Sequence, residues 1–168
     1  MAGRQLRKKN VISFLAALVV GVILGTVVQT QLNLLALQAM GVAVELDARV
    51  SATVHDLASF APLYLILFGV SFLFSQSVAA AVSKFVGRGL RVPLFALAGA
   101  AGLWAALMIV NALAPMPTLI AATRSAGGLL AMLATAAFAG ALFARLTAKP
   151  FADVSVRASN AVLACCLA

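Results

Sequence analysis

Apolar residues fill four long stretches of this chain, and polar residues gather between them. The first stretch begins at Val11, runs to about residue 28, and is closed by Gln29, Thr30 and Gln31. At ~1.5 Å of rise per residue, about 20 helical residues cross a hydrocarbon core of ~30 Å. The pattern predicts spans over about residues 11–30, 62–83, 92–113 and 126–144. Sequential helices with short connections pack as antiparallel neighbours. The expected fold is therefore an all-α integral membrane four-helix bundle, one membrane domain over residues 1–168.

Between the first two spans lies the one polar, acid-bearing stretch, residues 31–62. It holds Glu45, Asp47 and Asp56, three of the 4 acidic residues, together with the only histidine, His55. Over residues 44–59, Leu46, Val50, Val54 and Leu57 recur at helical spacing. Glu45, Arg49, His55 and Asp56 fall on the other side. This predicts an amphipathic helix on the extracytoplasmic surface, its apolar side toward lipid. Glu45 and Arg49, four apart, are placed to form an ion pair. Gly41 is a natural stop for whatever precedes it. Pro62 fits the first turn of the second span, where its missing N–H has no partner in any case. Tyr64 is expected near the outer interface, where amphipathic rings are favoured.

Composition turns this pattern into a statement about solvent. Apolar residues make up 64% of the chain, charged residues 10%, and mean hydropathy is +1.13. Soluble domains average roughly 45–50% and 25%. So few polar groups cannot cover a water-facing surface. The net charge of +8 does not point to nucleic acid, because the cations sit at the ends of apolar runs rather than on one polar face. With the N-terminus inside, Arg4, Arg7, Lys8, Lys9, Lys84, Arg88, Arg91, Arg145, Lys149 and Arg157 are cytoplasmic; only Arg49 and Arg124 of the 12 basic residues are outside. That bias predicts both ends in the cytoplasm, with residues 149–168 as a cytoplasmic tail, and the alanine-rich composition suggests a bacterial inner membrane. The basic leader resembles a signal peptide, but the run after it exceeds the usual ~7–15 residues and no small-x-small site closes it, so an uncleaved helix is expected.

Small residues recur at four-residue spacing. Gly21 and Gly25 form a G-x-x-x-G, and Ala98, Gly102 and Ala106 and then Ala136, Gly140 and Ala144 form two further stripes. Such spacing lets helix backbones approach closely. Contacts inside the bundle are the favoured use, with dimerisation the other. Cys165 and Cys166 are neighbours whose side chains point apart, and they are expected to be free thiols.

Candidate chemistry is sparse. His55 and Asp56 are adjacent, but adjacent helical side chains do not face each other, and a lone histidine lacks the further ligands zinc requires. Gln76, between Ser75 and Ser77, is the most polar point inside a span. It either pins two helices in register or lines a path, and Asn111 near the outer end of the third span poses the same choice. Arg124, beside Ser125 and the N-terminal end of the fourth helix, is the best candidate for holding an anion or lipid headgroup. No Asp, Glu, Lys or Arg falls in the central part of any span. That argues against carriers that couple through a buried ionisable group. No phosphate-binding glycine motif appears, no nucleophile stands beside the histidine in a recognisable arrangement, and no cofactor or metal is implied. The expected role is a non-enzymatic accessory or assembly subunit, packing in the bilayer against a larger membrane partner or against itself. The alternative is a small transporter or channel subunit with a path near Gln76 and Asn111. A lipid-modifying or redox enzyme using His55 and Arg124 comes third.

Overall fold

In a computed structural model of the chain, residues 2–113 and 125–148 are described. They form four helices, α1 (Ala2–Ala39), α2 (Leu46–Val82), α3 (Arg91–Leu113) and α4 (Ala126–Leu146), with a single 3-10 turn at Arg88–Leu90. Each helix packs against the next, and α4 closes the ring onto α1. All four are long and apolar enough to cross a membrane. Their outward surfaces carry large apolar side chains such as Ile12, Ile66, Phe74, Leu97, Ile109 and Leu130, all exposed. Among the described residues no strand occurs. A bundle that is apolar outside as well as inside has lipid for solvent, so this is a multi-pass membrane protein.

The first two helices are longer than expected. α1 has 38 residues, about 57 Å, and α2 has 37, about 55 Å. The first apolar run does not end at residue 30 but continues as helix to Ala39. Gly41 then stops it with φ of 88°. The Val42 N–H reaches Leu37 O at 3.3 Å and the Gly41 N–H reaches Gln38 O at 3.0 Å, the paired bonds of a Schellman cap.

The largest departure lies at Pro62. It was expected to open the second span, with a separate amphipathic helix over residues 44–59 before it. Instead Pro62 sits inside α2, which runs unbroken from Leu46. Proline removes one backbone hydrogen bond, and spanning helices tolerate this where neighbouring helices support them. Here α1 lies alongside the whole first half of α2.

The core is built from rings and glycines. Phe60, Tyr64, Phe68 and Phe72 of α2 are spaced by four and stack in series, with centroids 5.7, 5.6 and 5.1 Å apart. Phe143 of α4 touches Phe14, Phe72 and Phe95, one ring from each other helix. The G-x-x-x-G of α1 seats this ladder: a Cβ on Gly21 would stand 2.5 Å from Phe68 Cε1, and one on Gly25 would stand 2.5 Å from Tyr64 Cε1. The motif therefore serves a contact within the bundle. Between α3 and α4 the approach is closer still, since a Cβ on Gly140 would collide with the Phe95 carbonyl. Tyr64, expected at the outer interface, is instead 1% exposed in this core.

Candidate functional site

The polar residues that close the first apolar run become one wall of a seam. Thr26, Thr30 and the glutamines at 29, 31 and 38 lie on the last third of α1. The facing half of α2 supplies Arg49, Thr53 and Asp56. The Thr30 hydroxyl lies 2.9 Å from Thr26 O and 2.8 Å from Asp56 Oδ2, its one proton shared between them. Gln31 Nε2 donates to Thr53 Oγ1 at 3.2 Å, and Thr53 Oγ1 donates to Arg49 O at 2.7 Å. The Arg49 guanidinium donates to Gln31 Oε1 at 3.0 Å and to Gln38 Oε1 at 2.6 Å. Arg49 thus pairs with two neutral amides across the helix boundary rather than with Glu45 one turn earlier.

Arg49, Thr53 and Asp56 face α1, while Leu46, Val50 and Val54 face outward, as expected of a lipid-facing side; Leu57 is half-buried and His55 is exposed away from the seam, so the two sides are not divided as the spacing suggested. Leu46, Val50 and Val54 are 80%, 58% and 61% exposed. Leu35, Leu37, Met40 and Val42 extend the same apolar exterior around the turn.

The hairpin also overreaches α4. Gly25 abuts Tyr64, and Tyr64 has Thr135 of α4 beside its hydroxyl, so the three stand at one level. From there α2 continues for 18 residues to Leu46, about 27 Å, whereas α4 reaches back only 9 residues to Ala126, about 14 Å. The Ser125 hydroxyl caps that start of α4 by accepting from the Gly128 N–H at 3.0 Å.

Of the four residues singled out in the sequence, the three that are described stand apart. His55 is exposed on the outside of the hairpin, and its carbonyl accepts the Ser59 hydroxyl at 2.8 Å. Gln76 is buried at the other end of α2, where Nε2 donates to Phe95 O at 3.3 Å. Its Oε1 is shielded and meets no partner. Asn111 is half-buried on α3, 16 residues or about 24 Å along the helix from Phe95. Arg124 lies outside the described residues, as do Cys165 and Cys166. Among the described residues no three His, Cys, Asp or Glu side chains come together.

At the other end of the bundle Arg91 opens α3. It donates to Thr147 Oγ1 at 2.9 Å, and its guanidinium lies 5.3 Å from the centre of the Phe95 ring. This ties the start of α3 to the end of α4.

Sequence reasoning passed over Thr26, Thr30, Gln31 and Thr135. The available signal was Thr26 and Thr30 at i, i+4, which places two hydroxyls on one face of a membrane helix. Comparison with protein-family models, curated proteins and solved structures finds no match.

Proposed function

We propose that this protein is a non-enzymatic accessory or assembly subunit of a bacterial inner membrane, and that its α1–α2 hairpin is the surface offered to a membrane partner or a second copy. The observation that carries this reading is the apolar exterior of the hairpin, from Leu35 to Val54, reaching past the start of α4. Lipid tails are as apolar as leucine, so such a surface is at ease in the bilayer and equally able to pack against another helix. The polar seam inside holds the two helices in one register and so keeps that exterior rigid. The basic residues support an orientation with both chain termini in the cytoplasm and the Gly41 turn outside.

The test is photocrosslinking in native membranes. A photoreactive residue at Val50 or Met40 should capture a discrete higher-mass species, and one at Phe72 should not. A chain that purifies in mild detergent only as a lone monomer, and gives no crosslink from Val50, sinks the reading. Reporter fusions at Ala43 and after residue 168 should come out on opposite sides of the membrane.

The transporter or channel alternative draws on one observation, the unpartnered Gln76 Oε1 in the bundle interior. The packed rings of Phe68 and Phe72 beside it count against a continuous path. Gln76→Leu abolishes flux if the residue lines a path and leaves function intact if it only sets register.

A further inference from the structure

The end of the bundle opposite the Gly41 turn is a cationic rim. Phe143 meets Phe14 and Phe95, and Gln76 reaches the Phe95 carbonyl, so these four residues mark one level on the four helices. Outward from that level, Arg145 lies about 3 Å on, Arg91 about 6 Å, and Lys9 and Lys8 about 8 and 9 Å. α2 ends at Val82, also about 9 Å on, and Lys84 follows in the turn. All four helices therefore bring a cation to the same end. Lys8, Lys9, Lys84 and Arg145 are exposed. The described acids, Glu45, Asp47 and Asp56, all lie toward the other end, and none of these five cations has an ion-pair partner among the described residues.

Two apolar side chains stand among these charges. Phe85 follows Lys84 in the turn between α2 and α3 and is 91% exposed, more than any other large apolar side chain among the described residues. Leu90, next to Arg91, is 61% exposed. The turn that presents them is held at both ends. The Phe85 N–H donates to Val82 O at 2.9 Å, the Leu90 N–H donates to Gly87 O at 3.0 Å, and Arg91 ties the start of α3 to Thr147. Positive charge alone suffices to set topology. That role needs no aromatic ring held out beside the charge.

From Arg145 to Lys9 the cations span about 5 Å in depth, within the ~5–8 Å thickness of one headgroup layer. A zwitterionic headgroup brings its own ammonium and leaves these charges uncompensated. An anionic phospholipid brings a phosphate diester with net negative charge, which clustered Lys and Arg beside a span attract. Guanidinium and ammonium groups both suit phosphate oxygens as donors. The same lipid's acyl chains offer Phe85 and Leu90 an apolar contact at the interface, where aromatic rings are favoured. We propose that this end of the bundle binds anionic phospholipid, with its phosphates at Lys84, Arg91 and Arg145 and its chains against Phe85. The surface requires only that the bundle crosses a bilayer. It stands whether or not the hairpin binds a partner.

Native mass spectrometry of the full chain in a neutral detergent tests this, with phosphatidylglycerol and phosphatidylcholine of identical acyl chains as probes. Wild-type protein retains phosphatidylglycerol at about a tenfold lower lipid concentration than phosphatidylcholine. Lys84→Gln and Arg145→Gln each weaken phosphatidylglycerol about fivefold, the worth of one cation near an anionic surface, and leave phosphatidylcholine unchanged. Both side chains are exposed and make no hydrogen bond among the described residues, so neither substitution removes a core contact. Phe85→Ser lowers retention of both lipids several-fold. Equal retention of the two lipids by the wild type overturns the proposal, and that comparison needs no variant to fold. It is overturned as well by a phosphatidylglycerol preference that survives the double change Lys84→Gln and Arg145→Gln, or by retention unaltered in Phe85→Ser. Displacement of the lipid by millimolar inorganic phosphate at constant ionic strength also overturns it, because the rim would then be a site for free anions.

Discussion

The two halves of this bundle share an exterior and differ in what they bury. Around Thr30 and Asp56 the helices meet through hydroxyls, amides and a guanidinium. Around Phe68, Phe72, Phe95 and Phe143 they meet through rings set against glycine. Both halves show aliphatic side chains to the outside. In water, burying apolar area would itself drive helices together. In lipid it does not, because the surroundings are equally apolar, and association rests on close packing and interhelical hydrogen bonds. The ring-and-glycine half relies on shape, and the Thr30–Asp56 half on directed polar contacts. The exterior reports the solvent, and the interior reports how register is set.

This contrast can be broken from either side. The largest effect is expected from Phe72→Ala, which takes a ring from the ladder and from the contacts with Phe14 and Phe143. It should cost about 3 kcal/mol, read as a shift in an SDS-titration unfolding curve in mixed micelles. Gly140→Ala comes next, at about 2 kcal/mol in the same assay, because α3 and α4 must separate to admit the methyl group. Thr30→Val keeps the shape but removes the bond that joins α1 to Asp56. It should cost about 1 kcal/mol and leave the Asp56 carboxylate without this donor. Exchange of the backbone amides near the turn should rise while those near Phe95 stay protected. Gln76→Leu should be the mildest, about 0.6 kcal/mol, the average for one interhelical hydrogen bond in a membrane. If Thr30→Val proved costlier than Phe72→Ala, the division between shape and polar contact would be wrong.

Hydropathy alone shows four spans, because the need to satisfy every backbone group inside lipid makes long apolar runs helical. Gly41 as a stop and Gly21 and Gly25 as an internal contact were also legible, since each follows from the lack of a Cβ. The break at Pro62 was misread because its cost was weighed without the support of α1. That α1 covers Arg49, Thr53 and Asp56 was not legible for a related reason. Periodicity says which residues share a side of a helix, and only the neighbouring helix decides whether that side looks inward. Gln31 closes the first apolar run and Gln38 lies seven residues on, and nothing in their spacing names Arg49 as a common partner.

Phe143 contacts a ring from each of the other three helices, yet it belongs to the helix the ribosome makes after them. Until α4 enters the membrane, Phe14, Phe72 and Phe95 lack their common neighbour. The last helix to be made is therefore the one that joins the rings of the other three into a single core.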